Sequence, residues 1–523
     1  MTATSAPVEI VTEAAVEETR KLRRHFGRFD VLFFLVCTIV GLDTIGSVAA
    51  QGAEGFTWLI FLAVFFFLPY AMLTSELGTA FPQEGGPYVW TRKAFGRLPA
   101  AVNSLLYWVS NPIWLGGSLT ITAITVWTQF FTPLNGAWKW LFALVFIWVA
   151  VVSAILSLDK GKWMPTIGGF TRIVLLAVFT ISVIAYAFKH GVHGFGIGSF
   201  SPTYTVFIAA VPVLIFNYVG FELPSAAGDE MKNPQRDVPF AIARSAVLAV
   251  LLYGGPVLAI LLVLPTKQVT SLSGFVTAMS TVFTVWGGHF AKDGTPVLTG
   301  LGSVLGDIAA IGFILGLLTS GITWIMGADR AQAVACYDGA GPRRLGVISE
   351  RFGTPVAMNL CTGTVATVLF ILATELTSGN AGRYFTAVLG LAISTTTVSY
   401  LLIFPALAKL RFSDPDTPRP FRVPGGRLSA IGFSAITTLF AALATAGLLW
   451  PGVGTSDPNA SLPSTFAGQR LQYEISQFAP LLILIAIGFV FYMLGAPTRK
   501  RTIAIRHEVP SMAVEGAASV ALG

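Results

Sequence analysis

The chain has 523 residues, of which 54% are hydrophobic and only 11% charged, and its mean hydropathy of +0.72 excludes a soluble globular domain. A net charge of +7 suits a nucleic-acid binder, but the basic residues are distributed by side of a membrane rather than in one patch. The three cysteines, Cys37, Cys336 and Cys361, are odd in number and lack CxxC spacing, which excludes a disulfide framework and a thiolate metal site; they read as small buried residues.

Taken in chain order, residues 1–28 form a polar tail of mixed charge (Glu13, Glu17, Glu18, Arg20, Lys21, Arg23, Arg24) with no apolar core, so no secretory signal is expected. Its stretch from Val8 to Phe26 is predicted to lie as an amphipathic helix on the inner leaflet. Apolar segments of about 20 residues follow, each long enough to cross the hydrocarbon. Twelve are predicted: 31–53, 56–81, 99–131, 137–157, 164–188, 203–227, 238–264, 299–330, 355–375, 382–409, 427–450 and 477–496. The longest outside loop, 451–477, is rich in Gly, Ser, Pro and Thr, and the last residues, 497–523, are expected to form a disordered tail.

With the N-terminus placed in the cytoplasm, most of the 33 Lys and Arg fall on cytoplasmic segments. Lys139, Lys189, Lys267, Lys292, Arg383 and Arg470 fall outside, and Arg172 lies within the fifth span. This positive-inside bias puts both termini in the cytoplasm and the basic charge against anionic headgroups. No nucleic-acid partner, obligate protein partner, metal or cofactor is expected, and no nucleotide-binding glycine loop is found.

Two spans break in the middle. The first is interrupted at Gly41-Leu42-Asp43-Thr44-Ile45-Gly46-Ser47 and the sixth at Asn217-Tyr218-Val219-Gly220-Phe221-Glu222-Leu223-Pro224. Each break carries a carboxylate, Asp43 or Glu222, where a charge costs about 2.5–3.5 kcal/mol on insertion scales. Irregular backbone survives at membrane depth only when buried in protein or lining a cavity. Matched breaks in two halves point to a transporter's binding site. The expected organisation is an all-α integral membrane protein: a tail (1–28), repeat one (29–188), repeat two (203–410), two extra spans (427–496) and a tail (497–523). Five spans is an odd number, so the second repeat inserts upside down, giving a 5+5 inverted repeat of LeuT-like type with broken helices 1 and 6.

The loops carry a family resemblance. Gly220-Phe221-Glu222 followed by Glu230-x-Lys232-Asn233-Pro234-x-Arg236-Asp237-x-Pro239 is similar to the span 6 signature of the amino acid–polyamine–organocation transporter superfamily. Gly85-Gly86-Pro87-Tyr88 and Arg351-Phe352-Gly353-Thr354-Pro355 match as well. Tyr218 to Glu222 and the Arg419-Pro420-Phe421-Arg422-Val423-Pro424-Gly425-Gly426 loop resemble bacterial glutamate–GABA antiporters. The span 1 break departs from the superfamily's usual glycine triplet, because only Gly46-Ser47 resembles it and Val48 replaces the last glycine. The resemblance implies a cell-membrane permease that moves amino acids or related small amines by alternating access, as a proton-coupled carrier or an exchanger, with no enzymatic chemistry. Spans 1, 2, 6 and 7 would rock against the others. A polyamine or cationic amino acid carrier is the alternative, and a ligand-binding membrane sensor is the rival from another class.

Within this frame, the amides of Thr44, Ile45, Gly46, Ser47 and Val48 suit a substrate carboxylate. The carbonyls from Phe216 through Asn217, Tyr218 and Val219, next to Gly220, suit an ammonium, and the Phe216 ring suits closure over it. Glu222 either couples protons or holds the span 6 break. Asp43 meets an amine, senses protons or caps the second half of span 1. Tyr107, Asn111 and Trp114 share one face of span 3 and either line the cavity or pack between helices. Relatives without sodium coupling carry a lysine near Arg172, so the resemblance implies a permanent cation anchoring span 1; the alternative is snorkelling to the headgroups. Thr319, Ser320 and Thr323 are weak candidates for sodium ligands.

Overall fold

The computed structural model describes residues 8–22, 26–156, 163–192, 197–264 and 269–506. Arg23, Arg24, Lys267 and residues 507–523 lie outside them.

The N-terminal tail is not one amphipathic helix. It forms strand β1 (Val8–Thr12) and helix α1 (Glu13–Thr19), which starts with Thr12 Oγ1 accepting from the Ala15 N–H. Strand β1 pairs antiparallel with β4 (Thr502–Arg506) near the other end of the chain. The expectation of a disordered tail from 497 onward is corrected over this stretch, and the pairing puts both ends of the described chain on one face. The tail stays on the protein because Glu18 is buried among partners there and has no reason to lie on a headgroup surface.

Between these strands the chain is helical. The first apolar segment divides into α2 (Arg28–Ile39) and α3 (Ile45–Ala49), joined by a 3-10 turn over Leu42–Thr44. Then come α4 (Gly52–Ala80), α5 (Pro87–Phe95), α6 (97–130), α7 (Ala137–Ile155) and α8 (Trp163–His190). The sixth segment divides into α9 (Tyr204–Asn217) and a 3-10 stretch, Leu223–Glu230. Next are α10 (Pro234–Val263), α11 (Gly274–Trp286), the small hairpin β2 (Gly288–Phe290) and β3 (Pro296–Leu298), and α12 (Gly300–Ala340). The last helices are α13 (Val356–Leu376), α14 (Ala381–Ser413), α15 (Gly426–Leu449) and α16 (Arg470–Leu494).

Among the described residues, ten helices are long and apolar enough to cross a membrane. Two of the twelve predicted segments are not among them. The run 97–130 is a continuous helix but carries Asn103, Ser104, Asn111 and Ser118, all buried, which lowers its hydropathy. The sixth segment is too short on either side of its break. The apolar helix α11 was not anticipated by any predicted span.

Burial separates the helices by role. Along Arg28–Ala49, 89% of the most apolar window is buried, against 17% for α16. Helix α2 packs against α10 and α8, α8 against α12, and α6 against α14. The two broken segments are therefore enclosed by protein, as their unpaired backbone requires.

Candidate functional site

The break after Ile39 leaves Val40 non-helical and Gly41 extended. Their backbone groups are satisfied from other helices. The Gly41 N–H donates to Tyr253 Oη on α10 at 2.7 Å, and Tyr253 Oη donates to the Ile39 carbonyl at 2.7 Å. The Val40 carbonyl accepts from Arg172 Nε on α8 at 2.8 Å. Arg172 is fully buried, which removes the snorkelling alternative. Its other nitrogens donate to the Gly168 carbonyl (2.8 Å), Thr319 Oγ1 (3.1 Å), the Gly316 carbonyl and Ser320 Oγ. Two of the candidate sodium ligands thus serve a guanidinium, and Thr323 donates to the Thr319 carbonyl.

Asp43 sits in the 3-10 turn and is held by α6. Trp114 Nε1 donates to Asp43 Oδ2 at 2.8 Å, and Ser118 Oγ donates to the same oxygen. The α3 N-terminus has no side-chain cap, so the capping alternative does not hold. The second oxygen, Oδ1, is buried without a hydrogen-bond partner. It stands beside Gly41, where an added Cβ would lie 3.2 Å from Oδ1 and 3.4 Å from Tyr253 Oη.

The sixth segment breaks at Gly220, whose φ of +123° favours glycine. A Cβ there would meet Thr38 Cγ2 at 2.5 Å, so the absent side chain also lets the two broken segments touch. The freed Gly220 and Phe221 N–H groups donate to Tyr70 Oη at 3.0 and 2.9 Å. Tyr70 Oη in turn donates to Glu222 Oε2. Glu222 Oε1 accepts from Tyr107 Oη and Tyr400 Oη, both at 2.8 Å. Three hydroxyls from α4, α6 and α14 therefore converge on one buried carboxyl.

Between the breaks lies a void of about 10 Å3 for a water-sized sphere, roughly one water molecule. Thr38, Ile39, Gly41 and Thr44 line it from the first break; Phe216, Asn217 and Val219 line it from the second. Trp114, Tyr253 and Trp324 complete the wall. Trp114 meets Phe216 and Trp324 edge to face, each at a centroid distance of 5.9 Å. The Asn217 amide is buried with neither polar atom partnered. Among the described residues, no cationic side chain lines the void.

Of the predicted site residues, Thr44, Phe216 and Asn217 line this void; Asp43 does not line it but is bonded to Trp114, which does. Ile45, Gly46 and Ser47 face away: Gly46 is pressed against Ser271 and Thr270, and Ser47 Oγ donates to the Ser271 carbonyl at 3.3 Å. Tyr218 donates to the Leu59 carbonyl at 3.0 Å, and Gly220 packs on Thr38. Tyr107 belongs to Glu222, and Asn111 faces Asp329.

Asp329 is a buried carboxyl missing from the sequence reading; its Oδ1 accepts from Trp108 Nε1 (2.9 Å) and Thr362 Oγ1 (2.7 Å). It sits near a helix end in the sequence, although an ionisable residue in an apolar run was signal enough. Tyr70, Tyr253, Trp324 and Tyr400 were also missed, because a single aromatic in an apolar helix does not reveal which face turns inward. On the face that carries the termini, Arg330 Nε lies 2.9 Å from Glu230 Oε1 and 3.7 Å from Glu84 Oε1.

A small, aromatic-walled void between two broken helices, with no nucleophile–base pair among its lining residues, suits binding and release of a solute. The comparisons agree with this class. The amino acid permease family model matches residues 26–467, so the chain belongs to that family. It is a multi-pass membrane transporter of amino acids or related small amines, not an enzyme. The chain is 27% identical to the probable agmatine/putrescine antiporter AguD of Lactococcus lactis subsp. lactis, across 94% of this chain and 97% of that one. It is 24% identical to the branched-chain amino acid permease BcaP of Bacillus subtilis, across 79% and 86%. Its fold is similar to that of MhsT in complex with L-phenylalanine (TM-score 0.57, 15% identity, 81% of this chain and 99% of that one). It is similar too to the Eremococcus coleocola manganese transporter (TM-score 0.58, 11% identity, 92% and 98%).

Proposed function

We propose that this permease exchanges small organic amines across the cell membrane through the void beside Asp43. The carrying observation is Asp43 Oδ1, buried without a hydrogen-bond partner among the described residues, on a carboxyl held by Trp114 and beside Gly41, both of which line the void. A buried carboxylate oxygen without a donor is costly, and an ammonium supplies both donor and charge. The rings of Trp114, Phe216 and Trp324 suit a cation as well. The Gly41 N–H in the first break is already bonded to Tyr253, which disfavours a substrate carboxylate at that point. The name of the Lactococcus relative supports an amine.

The second reading is a zwitterionic amino acid bound through the amides of Thr44 to Ser47. The Bacillus relative's name supports it, and so does the Asn217 amide, which can meet either charge.

Transport follows by alternating access. Twelve spans with a 5+5 inverted repeat place α2–α4, the sixth segment and α10 in a unit that rocks against the rest, with both termini in the cytoplasm by the positive-inside bias. Glu222 belongs to the rocking unit, while Tyr107 and Tyr400 belong to the other. Its carboxyl is thus the bond between the two units on the cytoplasmic side of the void. Protonation removes the charge that these hydroxyls serve and weakens the closure, which couples protons to opening. Arg172 fixes the end of α2 as a permanent cation.

The test is counterflow in proteoliposomes preloaded with unlabelled putrescine. Accumulation of labelled putrescine driven by exchange is expected. Counterflow of leucine but not putrescine would move the assignment to the second reading, and ligand binding without any counterflow would favour a sensor.

A further inference from the structure

On the cytoplasmic face lies a cavity of about 450 Å3, far larger than the central void. Val11, Ala15 and Val16 of the N-terminal segment form one wall, and Gln83, Asp229 and Val334 belong to the opposite side. Those last three come from the loop after α4, the sixth segment and α12.

The segment that covers this cavity is fastened at three places. One is on the end of α12 and the loop after it. Thr12 Oγ1 donates to the Tyr337 carbonyl at 2.8 Å. Glu18 is buried, accepts from the Ile348 N–H at 2.8 Å and from Lys21 Nζ at 3.0 Å, and pairs with Arg343 Nη2 at 2.7 Å. The second is on the end of the sixth segment, where the Phe26 N–H donates to the Glu230 carbonyl (3.0 Å) and the Lys232 N–H to the Phe26 carbonyl (2.9 Å). Strand β4 adds a third hold through the β1 ladder, and the Glu13 N–H donates to the Arg501 carbonyl at 3.1 Å.

The α12 loop belongs to the static unit and the sixth segment to the rocking unit, so one short stretch of chain ties together two bodies that must separate for the site to open inward. We propose that β1 and α1, together with the Phe26 contact that follows them, form a cytoplasmic latch, which covers the vestibule and holds the inward gate shut until its Glu18 anchor releases. This rests on the alternating-access reading above but not on the identity of the substrate.

The anchor holds across the ordinary pH range. Burial opposes the charge on Glu18, but the Ile348 N–H, Arg343 and Lys21 outweigh it and hold the carboxyl below its usual value. The anchor's contribution is therefore present at neutral pH and lost only as pH falls through that depressed value. Release at neutral pH calls for something that competes for Arg343 or for the segment itself.

The test is labelling of Val334→Cys by a membrane-impermeant maleimide in inside-out vesicles, with full-length protein whose three native cysteines are replaced by alanine. Deletion of residues 2–20 should raise the labelling rate by about tenfold or more, and Glu18→Gln by less, as expected for losing one charge-assisted hydrogen-bonded anchor. An unchanged rate in the deletion variant, with thermal stability retained, overturns the latch. If the deletion variant does not fold, Glu18→Gln decides on the same reading. Labelling is read without substrate, so failure of the amine assignment leaves this result standing, and an unlatched vestibule with no putrescine exchange would sink only that assignment.

Discussion

Asp43 and Glu222 are both buried acids at the breaks of apolar segments, yet their surroundings differ. Each oxygen of Glu222 accepts at least one tyrosine hydroxyl. Asp43 receives both of its donors on one oxygen and leaves the other bare. In the proposed mechanism the fully partnered Glu222 is the closing bond and Asp43, with one oxygen left bare, is the ligand contact; sequence position alone does not separate the two.

Arg172→Ala should give the largest effect. It strips the Val40 carbonyl in the first break of its donor, at about 1–3 kcal/mol for a group left unsatisfied, and removes the guanidinium that joins the break to Thr319 and Ser320. Loss of transport and a fall in melting temperature of several degrees are expected, and sodium should not restore either. Full activity in that variant would break the view that a fixed cation organises the first break.

Asp43→Asn should come next. Removing one charge of a desolvated ion pair costs about 2–5 kcal/mol, so the apparent affinity for putrescine should fall at least about thirtyfold while the fold persists. A change of less than twofold in uptake would make Asp43 a second closing group and erase the contrast with Glu222.

Glu222→Gln sharpens the comparison from the other side. Transport should continue with a flattened pH profile and little change in amine affinity. A pH profile identical to that of the parent would remove Glu222 from proton coupling. Smaller still are Tyr107→Phe and Tyr400→Phe, at about 1.5–3 kcal/mol each for a hydrogen bond to a charged group. The two losses should not add, since both hydroxyls share Oε1; additive losses in urea unfolding would show that they act separately.

The breaks were readable in the sequence because their causes are local: Gly41 and Asp43 in one, Gly220, Glu222 and Pro224 in the other. The partners were not, because a helix face is fixed by packing. Trp114 and Tyr107 were placed on one face of α6, but nothing nearby in sequence says that one meets Asp43 and the other Glu222. Tyr70 and Tyr400 are separated from Glu222 by long stretches of chain. The tail was misread for a different reason. Val8-Glu9-Ile10-Val11-Thr12 and Thr502-Ile503-Ala504-Ile505-Arg506 both carry the β-branched residues of a strand, but a two-stranded pairing between opposite ends of a chain leaves no mark on either segment alone.

The most direct test is the melting temperature of the detergent-purified protein with putrescine, agmatine or leucine, each near 100 times its dissociation constant, where a ligand specific for the folded state adds about 2.7 kcal/mol. Stabilisation by the amines, lost in Asp43→Asn and kept in Glu222→Gln, is the predicted result. Stabilisation by leucine alone, or by amines equally in both variants, would contradict the assignment of Asp43 as the contact that selects the substrate.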